Sequence, residues 1–162
     1  MINLADLKKF IEENRVLFSD GATGTVLSQR VPPGVNCFEC LNIEHPFIIE
    51  TLHREYLKAG SDMLQTNTFG ANRFKLARNG MEGSLEKINI AAVEIARRAA
   101  STAGRQVFIA GDIGPLGARL APFGRIQLPE AREIFAEQVA ALVKGGVDLV
   151  IIETMTDLYE TI

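Results

Sequence analysis

Four polar residues, Asp20, Asn67, Asp112 and Glu153, each close an apolar run, at spacings of 47, 45 and 41 residues. Three of them are acids. Gathered in one place, such side chains would hold a cation, and an ammonium group is the partner their charge selects. Asp20 leads the stretch Asp20-Gly21-Ala22-Thr23-Gly24-Thr25, whose glycines permit a tight turn and close approach of a ligand. Its Gly-x-x-Gly spacing alone is a weak phosphate-loop signal, lacking both the dinucleotide pattern and a Walker lysine. A carboxylate at its head would repel phosphate. Glu153 would clamp the same cation from the far side of a pocket, while Asn67-Thr68 offers an amide and a hydroxyl to a carboxylate. Gly111-Asp112-Ile113-Gly114-Pro115-Leu116-Gly117 reads as a loop whose backbone can line that pocket. Taken singly, each of these residues could instead be a helix cap, a turn former or part of a flexible lid.

A second constellation is Cys37-Phe38-Glu39-Cys40 with His45 and His53, two Cys and two His within 17 residues, formally enough for tetrahedral zinc. However, Pro46 starts a helix at His45, which would hold the two imidazoles about 10 Å apart at the helical rise. Buried or incidental thiols and ordinary surface histidines are the expectation.

A scaffold must bring the strand-end acids together. Runs at 16–19, 62–66, 107–110 and 147–152 are rich in β-formers, and the last two are nearly continuous in apolar residues, as in a parallel sheet covered on both faces. Helical patterns lie between them: 46–59 closed by Gly60, 84–103 closed by Gly104 with Ser84 as cap, and one from Pro129 to Gly145-Gly146. An opening helix over 4–13 precedes the first strand. Residues 58–68 also align without gaps to 144–154, an offset of 86 residues or two units of 43, with Lys, Gly, Asp and Thr coincident. Each copy is a helix end, a tight turn and a strand finishing in a polar residue, which indicates βα repeats. Turns entering the strands are short, whereas 20–45, 67–83 and 112–128 are long. In parallel α/β folds the carboxyl ends of the strands bind ligands, so the function is expected there.

Composition limits the alternatives. The chain has 162 residues, 47% hydrophobic and 23% charged, with 17 Lys+Arg against 20 Asp+Glu. That excludes disorder and a general nucleic-acid binder, which needs a surplus of cations. Met1 to Asp6 carries no secretory pattern, and Leu149-Val150-Ile151-Ile152 is far short of the roughly 20 apolar residues of a membrane span. Two cysteines make no disulfide scaffold, and a reducing cytoplasmic setting is expected. A closed (β/α)8 barrel takes about 250 residues. Four units therefore predict an N-terminal helix over 1–15 and, over 16–162, the first half of a longer barrel, with open edges suited to self-association. A four-strand doubly wound domain is the alternative.

The motifs Asp20-Gly21-Ala22-Thr23-Gly24-Thr25, Thr66-Asn67-Thr68-Phe69-Gly70-Ala71, Gly111-Asp112-Ile113-Gly114-Pro115 and Ile152-Glu153-Thr154 resemble those of the homocysteine S-methyltransferase family, in its order and approximate spacing. The likeness runs from Leu17 to Tyr159 and is nearest to the homocysteine modules of cobalamin-dependent methionine synthase and of methylenetetrahydrofolate reductase fusions. It implies a (β/α)8 TIM barrel, here about four βα units, that binds homocysteine at the strand carboxyl ends and methylates it to methionine. It implies a zinc ion on three cysteines, which turns the weakly acidic thiol (pKa about 8.5) into the nucleophilic thiolate. Methylcobalamin or methyltetrahydrofolate is the implied methyl donor. By the same likeness Asp20 and Glu153 lie near the substrate ammonium, and Gly21, Thr23, Asn67, Thr68 and Asp112 line the pocket. The family's zinc cysteines fall in segments that would follow Ile162, so no catalytic or metal residue is assigned here and these 162 residues alone are expected to be inactive. Gly34-Val35-Asn36-Cys37 imitates one of those segments at the wrong place. A non-catalytic binding half-barrel and a barrel enzyme for a phosphorylated substrate are the competing readings.

Overall fold

A computed structural model describes residues 4–14, 16–31 and 33–161. The chain runs through α1 (Leu4–Asn14), α2 (Thr23–Arg30), α3 (Leu41–Glu44), α4 (Pro46–Ala59), β1 (Met63–Gln65), α5 (Arg73–Leu76), α6 (Leu85–Ala100), β2 (Phe108–Ile113), α7 (Leu128–Gly145) and β3 (Leu149–Ile152). The strands form one parallel sheet in the order β1-β2-β3, with Gln65 beside Ala110 and Asp112 beside Ile151. Among the described residues no helix is long and apolar enough to cross a membrane.

The punctuation read from the sequence acts where chain direction changes. Pro46 opens α4, and Gly60 closes it in the left-handed conformation at φ 107°. Gly146 does the same for α7 at φ 91°, donating to Leu142 O. These positive angles suit glycine, which has no Cβ to clash. Ser84 is not the expected cap. It ends a 3-10 turn (Glu82–Ser84) at φ −103°, ψ 7°, outside the extended conformation a capping serine needs, and its hydroxyl makes no cap hydrogen bond.

Two further expectations are corrected. Of the four expected strands, the first is an extended segment over 16–19 that touches β1 through a single parallel bridge, Ser19 to Met63. Val16 and Phe18 are 55% and 63% exposed, so among the described residues the outward side of this segment is largely uncovered. The segments after the strands are not plain loops either, since α2 and α3 occupy 20–45 and α5 lies in 67–83. β2 also runs further than expected and takes Gly111 and Asp112 out of the loop.

Alternation along the strands sorts the two faces of the sheet. Leu64, Ile109, Ile113 and Val150 pack on Val93, Ala96 and Ala99 of α6 and Leu142 of α7. Met63, Phe108, Ala110, Leu149 and Ile151 face the other way, where Leu7 and Phe10 of α1 cover them. Phe10 and Phe108 meet edge to face, with centroids 5.4 Å apart at 82°. This inner face reads Phe108, Ala110, Asp112 along β2. It is plugged by rings at the amino end and becomes acidic at the carboxyl end.

The repeated aspartate does one job twice. Asp62 accepts the amide hydrogen of Phe18 (3.2 Å) and pairs with Arg105 (2.8 Å). Asp148 accepts that of Ile109 (2.8 Å) and pairs with Arg97 (2.6 Å). Each fastens the start of its strand to the preceding one, which helps to set the register. The Asp148 side chain is 2% exposed and that of Asp62 18%. We therefore expect Asp148→Ala to lower the unfolding free energy by about 2–4 kcal/mol, and Asp62→Ala by less, because removal strands a partner group in a drier site. Urea denaturation of both variants checks the ranking.

Candidate functional site: an acidic cavity at the strand carboxyl ends

Asp20, Gly21, Thr23, Asn67, Asp112 and Glu153 line one cavity of about 570 Å³, together with Phe38, Glu39, Phe69 and Thr154. The volume falls within the range of small-molecule sites, about 300–1,000 Å³. Asp20 and Glu153, drawn from opposite ends of the sequence, share its wall. Thr68 does not line it: this residue is fully buried and works behind the wall.

The threonine pair holds Asp112 in place. The amide of Asp112 donates to Thr66 Oγ1 (3.1 Å), and Thr68 Oγ1 donates to Asp112 O (2.7 Å). The two hydroxyls lie 2.6 Å apart. With the Thr68 proton committed to a carbonyl, Thr66 must be the donor between them. Both backbone groups of Asp112 are thus clamped, and its side chain is aimed by β2. Asn67 is also used internally, and was expected to hold a carboxylate. Its Nδ2 donates to Phe38 O (2.7 Å) and Asn42 Oδ1 (3.0 Å), tying the segment before α3 to the end of β1.

Electrostatics set the character of the cavity. Asp20 accepts the Gln65 amide hydrogen (3.0 Å) and the Ser19 hydroxyl (3.2 Å). Burial nevertheless outweighs these bonds and pushes its pKa up to about 7, with the Glu153 charge adding to the rise. Asp112 is likewise raised to about 7, first by burial and then by the charges of Glu153, Asp20 and Glu39, against some relief from Lys75. Asp112 Oδ1 is buried and has no hydrogen-bond partner among the described residues. An unsatisfied buried carboxyl oxygen is costly and calls for a donor.

A second polarity faces these acids. The stretch expected to be a glycine loop is the entry into α2, and Thr23, Gly24 and Thr25 of its first turn line the cavity. First-turn amides have no partner within their helix and carry partial positive charge. Tyr56 braces the approach by donating to Ala22 O (3.2 Å). The cavity therefore has carboxylates on one side and the first turn of α2 on another, a pairing of polarities that suits an amino-acid zwitterion.

Several wall residues were not legible as site residues. Glu39 sits between the cysteines and holds the Gly70 amide hydrogen at 2.7 Å; a Cβ at Gly70 would lie 2.5 Å from the same oxygen. Gly114 leaves room for the Phe69 ring, which any side chain there would strike. Thr154 has φ 58°, a left-handed conformation that costs a β-branched residue about 1–3 kcal/mol and places strain at the cavity wall beside Glu153. Thr154 was hinted at by its equivalence to Thr68 in the repeat and by its place in the Ile152-Glu153-Thr154 motif, whereas nothing in the sequence pointed to Glu39.

The cysteine and histidine constellation resolves differently from the expectation. Cys37 and Cys40 are joined in a disulfide, with Cα atoms 5.4 Å apart. His45 is exposed, but His53 is buried in α4 with neither ring nitrogen hydrogen-bonded among the described residues, and burial lowers its pKa to about 4. Among the described residues no group of three or more His, Cys, Asp or Glu side chains could hold a metal ion.

Residues 17–162 match the family model described as homocysteine S-methyltransferase. Methionine synthases of Mycobacterium leprae (strain TN) and Mycobacterium tuberculosis (strain ATCC 25618 / H37Rv) are each 33% identical over 157 residues, 90% of this chain and 13% of the relative. The fold is that of the homocysteine methyltransferase MmuM from Escherichia coli: its oxidized and metallated forms both give a TM-score of 0.81 at 24% identity, over 95% of this chain and 58% or 59% of theirs. The chain thus spans a small part of the methionine synthases and somewhat more than half of MmuM. With the match running from residue 17 to residue 162, the chain belongs to the homocysteine S-methyltransferase family.

Proposed function

We propose that this chain forms the amino-acid-gripping part of a homocysteine S-methyltransferase, an enzyme that methylates homocysteine to methionine. The observation that carries the reading is the buried Asp112 carboxyl, with one oxygen unpartnered, in a cavity it shares with Asp20 and Glu153. An ammonium group would supply the missing donor and neutralise the mutual repulsion. The α-carboxylate would sit at the first-turn amides of α2, which replace Asn67 and Thr68 as its expected donors. The thiol side chain would extend toward Phe38 and Phe69 on the same wall.

The full scaffold in this reading is a (β/α)8 barrel with a cytoplasmic setting, and these residues are its first units. Further strands would cover Phe18 and Ile152, which are 63% and 52% exposed; without them the open edges suit self-association. Zinc would supply a thiolate at neutral pH, but the residues present do not fit its site, since both cysteines are consumed by their mutual bond. The chemistry assigned to this chain is therefore binding and orientation of the amino acid. The methyl donor, methylcobalamin or methyltetrahydrofolate, belongs to other parts of the protein.

Calorimetric titration of homocysteine and methionine tests the reading. Both should bind, inorganic phosphate should not, and Asp20→Asn or Glu153→Gln should each weaken binding by about 10- to 100-fold, the loss of one charge-assisted hydrogen bond. Phosphate binding that outlasts loss of amino-acid binding would favour the phosphorylated-substrate alternative. The ammonium would also displace protons from Asp20 and Asp112, so near pH 7 the binding heat should vary with the ionisation heat of the buffer.

The same two acids give the unliganded chain a pH signature. Their folded pKa values, about 7, lie above the ordinary 3.8, so the folded state binds protons more tightly than the unfolded one. Their contribution to stability is fully present below about pH 4 and is lost as pH rises to about 7. Urea midpoints should fall across that window, and Asp112→Asn should flatten part of the decline.

A further inference from the structure

We propose that Cys37 and Cys40 are a thiol–disulfide modification site whose redox state sets the wall of the acidic cavity. The two residues between them, Phe38 and Glu39, line that cavity and also a second pocket of about 240 Å³ on their other side. Phe69 faces both spaces as well. A thin partition thus separates the acids from the disulfide. Cys37 and Cys40 both pack into the core beside Ala71, Leu76 and Ile88, at 8% and 4% exposure, but of the two only Cys37 also lines the second pocket. Lys75 and Arg78 line the same pocket, and the Lys75 ammonium lies 4.5 Å from the Phe69 ring centre. An incoming thiolate would meet positive charge and, of the two cysteines, Cys37 first.

The exchange balances with a small-molecule thiol as reductant. Its thiolate attacks Cys37 Sγ, the S–S bond breaks, and Cys40 Sγ leaves with the electron pair and takes a proton. A second thiolate then attacks the small-molecule sulfur of the mixed disulfide and releases Cys37, which is protonated in turn. Two thiols become one disulfide, and the protein gains two electrons and two protons. A small-molecule disulfide reverses the sequence.

The consequence falls on Glu39. Cys37 Sγ lies 3.8 Å from Glu39 Oε2, and a disulfide sulfur has no proton to give. Reduction creates a thiol that can donate to this oxygen and frees the Phe38-Glu39 segment from its short covalent ring. The segment is held by the Gly70 amide on Glu39 Oε1 (2.7 Å), on the side of the second pocket, and by Asn67 on Phe38 O (2.7 Å), on the cavity side. Both links join it to the end of β1 and the residues that follow. In a reducing compartment a disulfide so placed is regulatory in character rather than a staple.

The inference rests on the amino-acid reading of the cavity only for its binding probe. Methionine is that probe, because it carries the zwitterion but no thiol to reduce the protein. The protein is equilibrated over a series of reduced-to-oxidised glutathione ratios, alkylated and weighed by mass spectrometry. Cys37 and Cys40 should become alkylated together in a two-electron transition. On reduction, hydrogen exchange at the Gly70 amide should quicken at least tenfold, and methionine affinity should fall by about 2- to 12-fold, the cost of ordering one freed side chain. Both responses should vanish in the Cys37→Ser/Cys40→Ser double variant. Methionine failing to bind in either state, with Gly70 exchange still redox-dependent, would strike the amino-acid reading and leave the modification site standing. Equal Gly70 exchange and equal affinity in the two states would overturn the proposal, as would thiols that alkylate at every glutathione ratio.

Discussion

Repulsion between carboxylates in a half-dry space is the constraint on which the rest of this structure depends. Asp20, Asp112, Glu153 and Glu39 share one wall, and burial already opposes the ionised form of the two aspartates. Left to themselves such groups would swing apart or into water. They stay because they are fastened from behind: Asp20 by the Gln65 amide, Asp112 through its backbone to Thr66 and Thr68, Glu39 by the Gly70 amide, and Glu153 through its own amide on Ile113 O. The scaffold bears the cost of gathering like charges before any ligand arrives. Electrostatic preorganisation is strongest when it is built in this way.

The scaffold is itself repetitive, and the repeat has a physical meaning beyond symmetry. Asp62 and Asp148 stand at matching positions, each accepting an amide hydrogen from the preceding chain segment and pairing with an arginine. A parallel strand has no hairpin to fix its register, so a side chain at its start is a natural device for doing so. Fixing the start of a strand also fixes its end. Through that relay, residues whose sequence separations exceed 40 arrive at one cavity.

Much of this was legible. The continuous apolar runs found β2 and β3, glycines marked the ends of α4 and α7, and strand-end polar residues located the cavity. What escaped detection did so for identifiable reasons. α2 contains Gly24, Thr23 and Thr25, poor helix formers, and is held by its place beside Tyr56 and its buried Leu27 rather than by propensity. The segment over 16–19 has the composition of a strand but meets β1 through a single bridge, which falls short of a ladder. Asn67 and Thr68 look alike to a reader of sequence; only the fold reveals that one reaches the wall and both spend their polar groups inside. The hydrogen bonds of Glu39 are long-range, and no local pattern announces them.

The edge-to-face contact of Phe10 with Phe108 has a consequence for screening. It gives the inner side of the sheet an apolar floor at the amino end of β2, below Asp112 on the same face. A group resting on the acids would meet rings rather than water on that side, and a dry floor leaves the charges above it less screened.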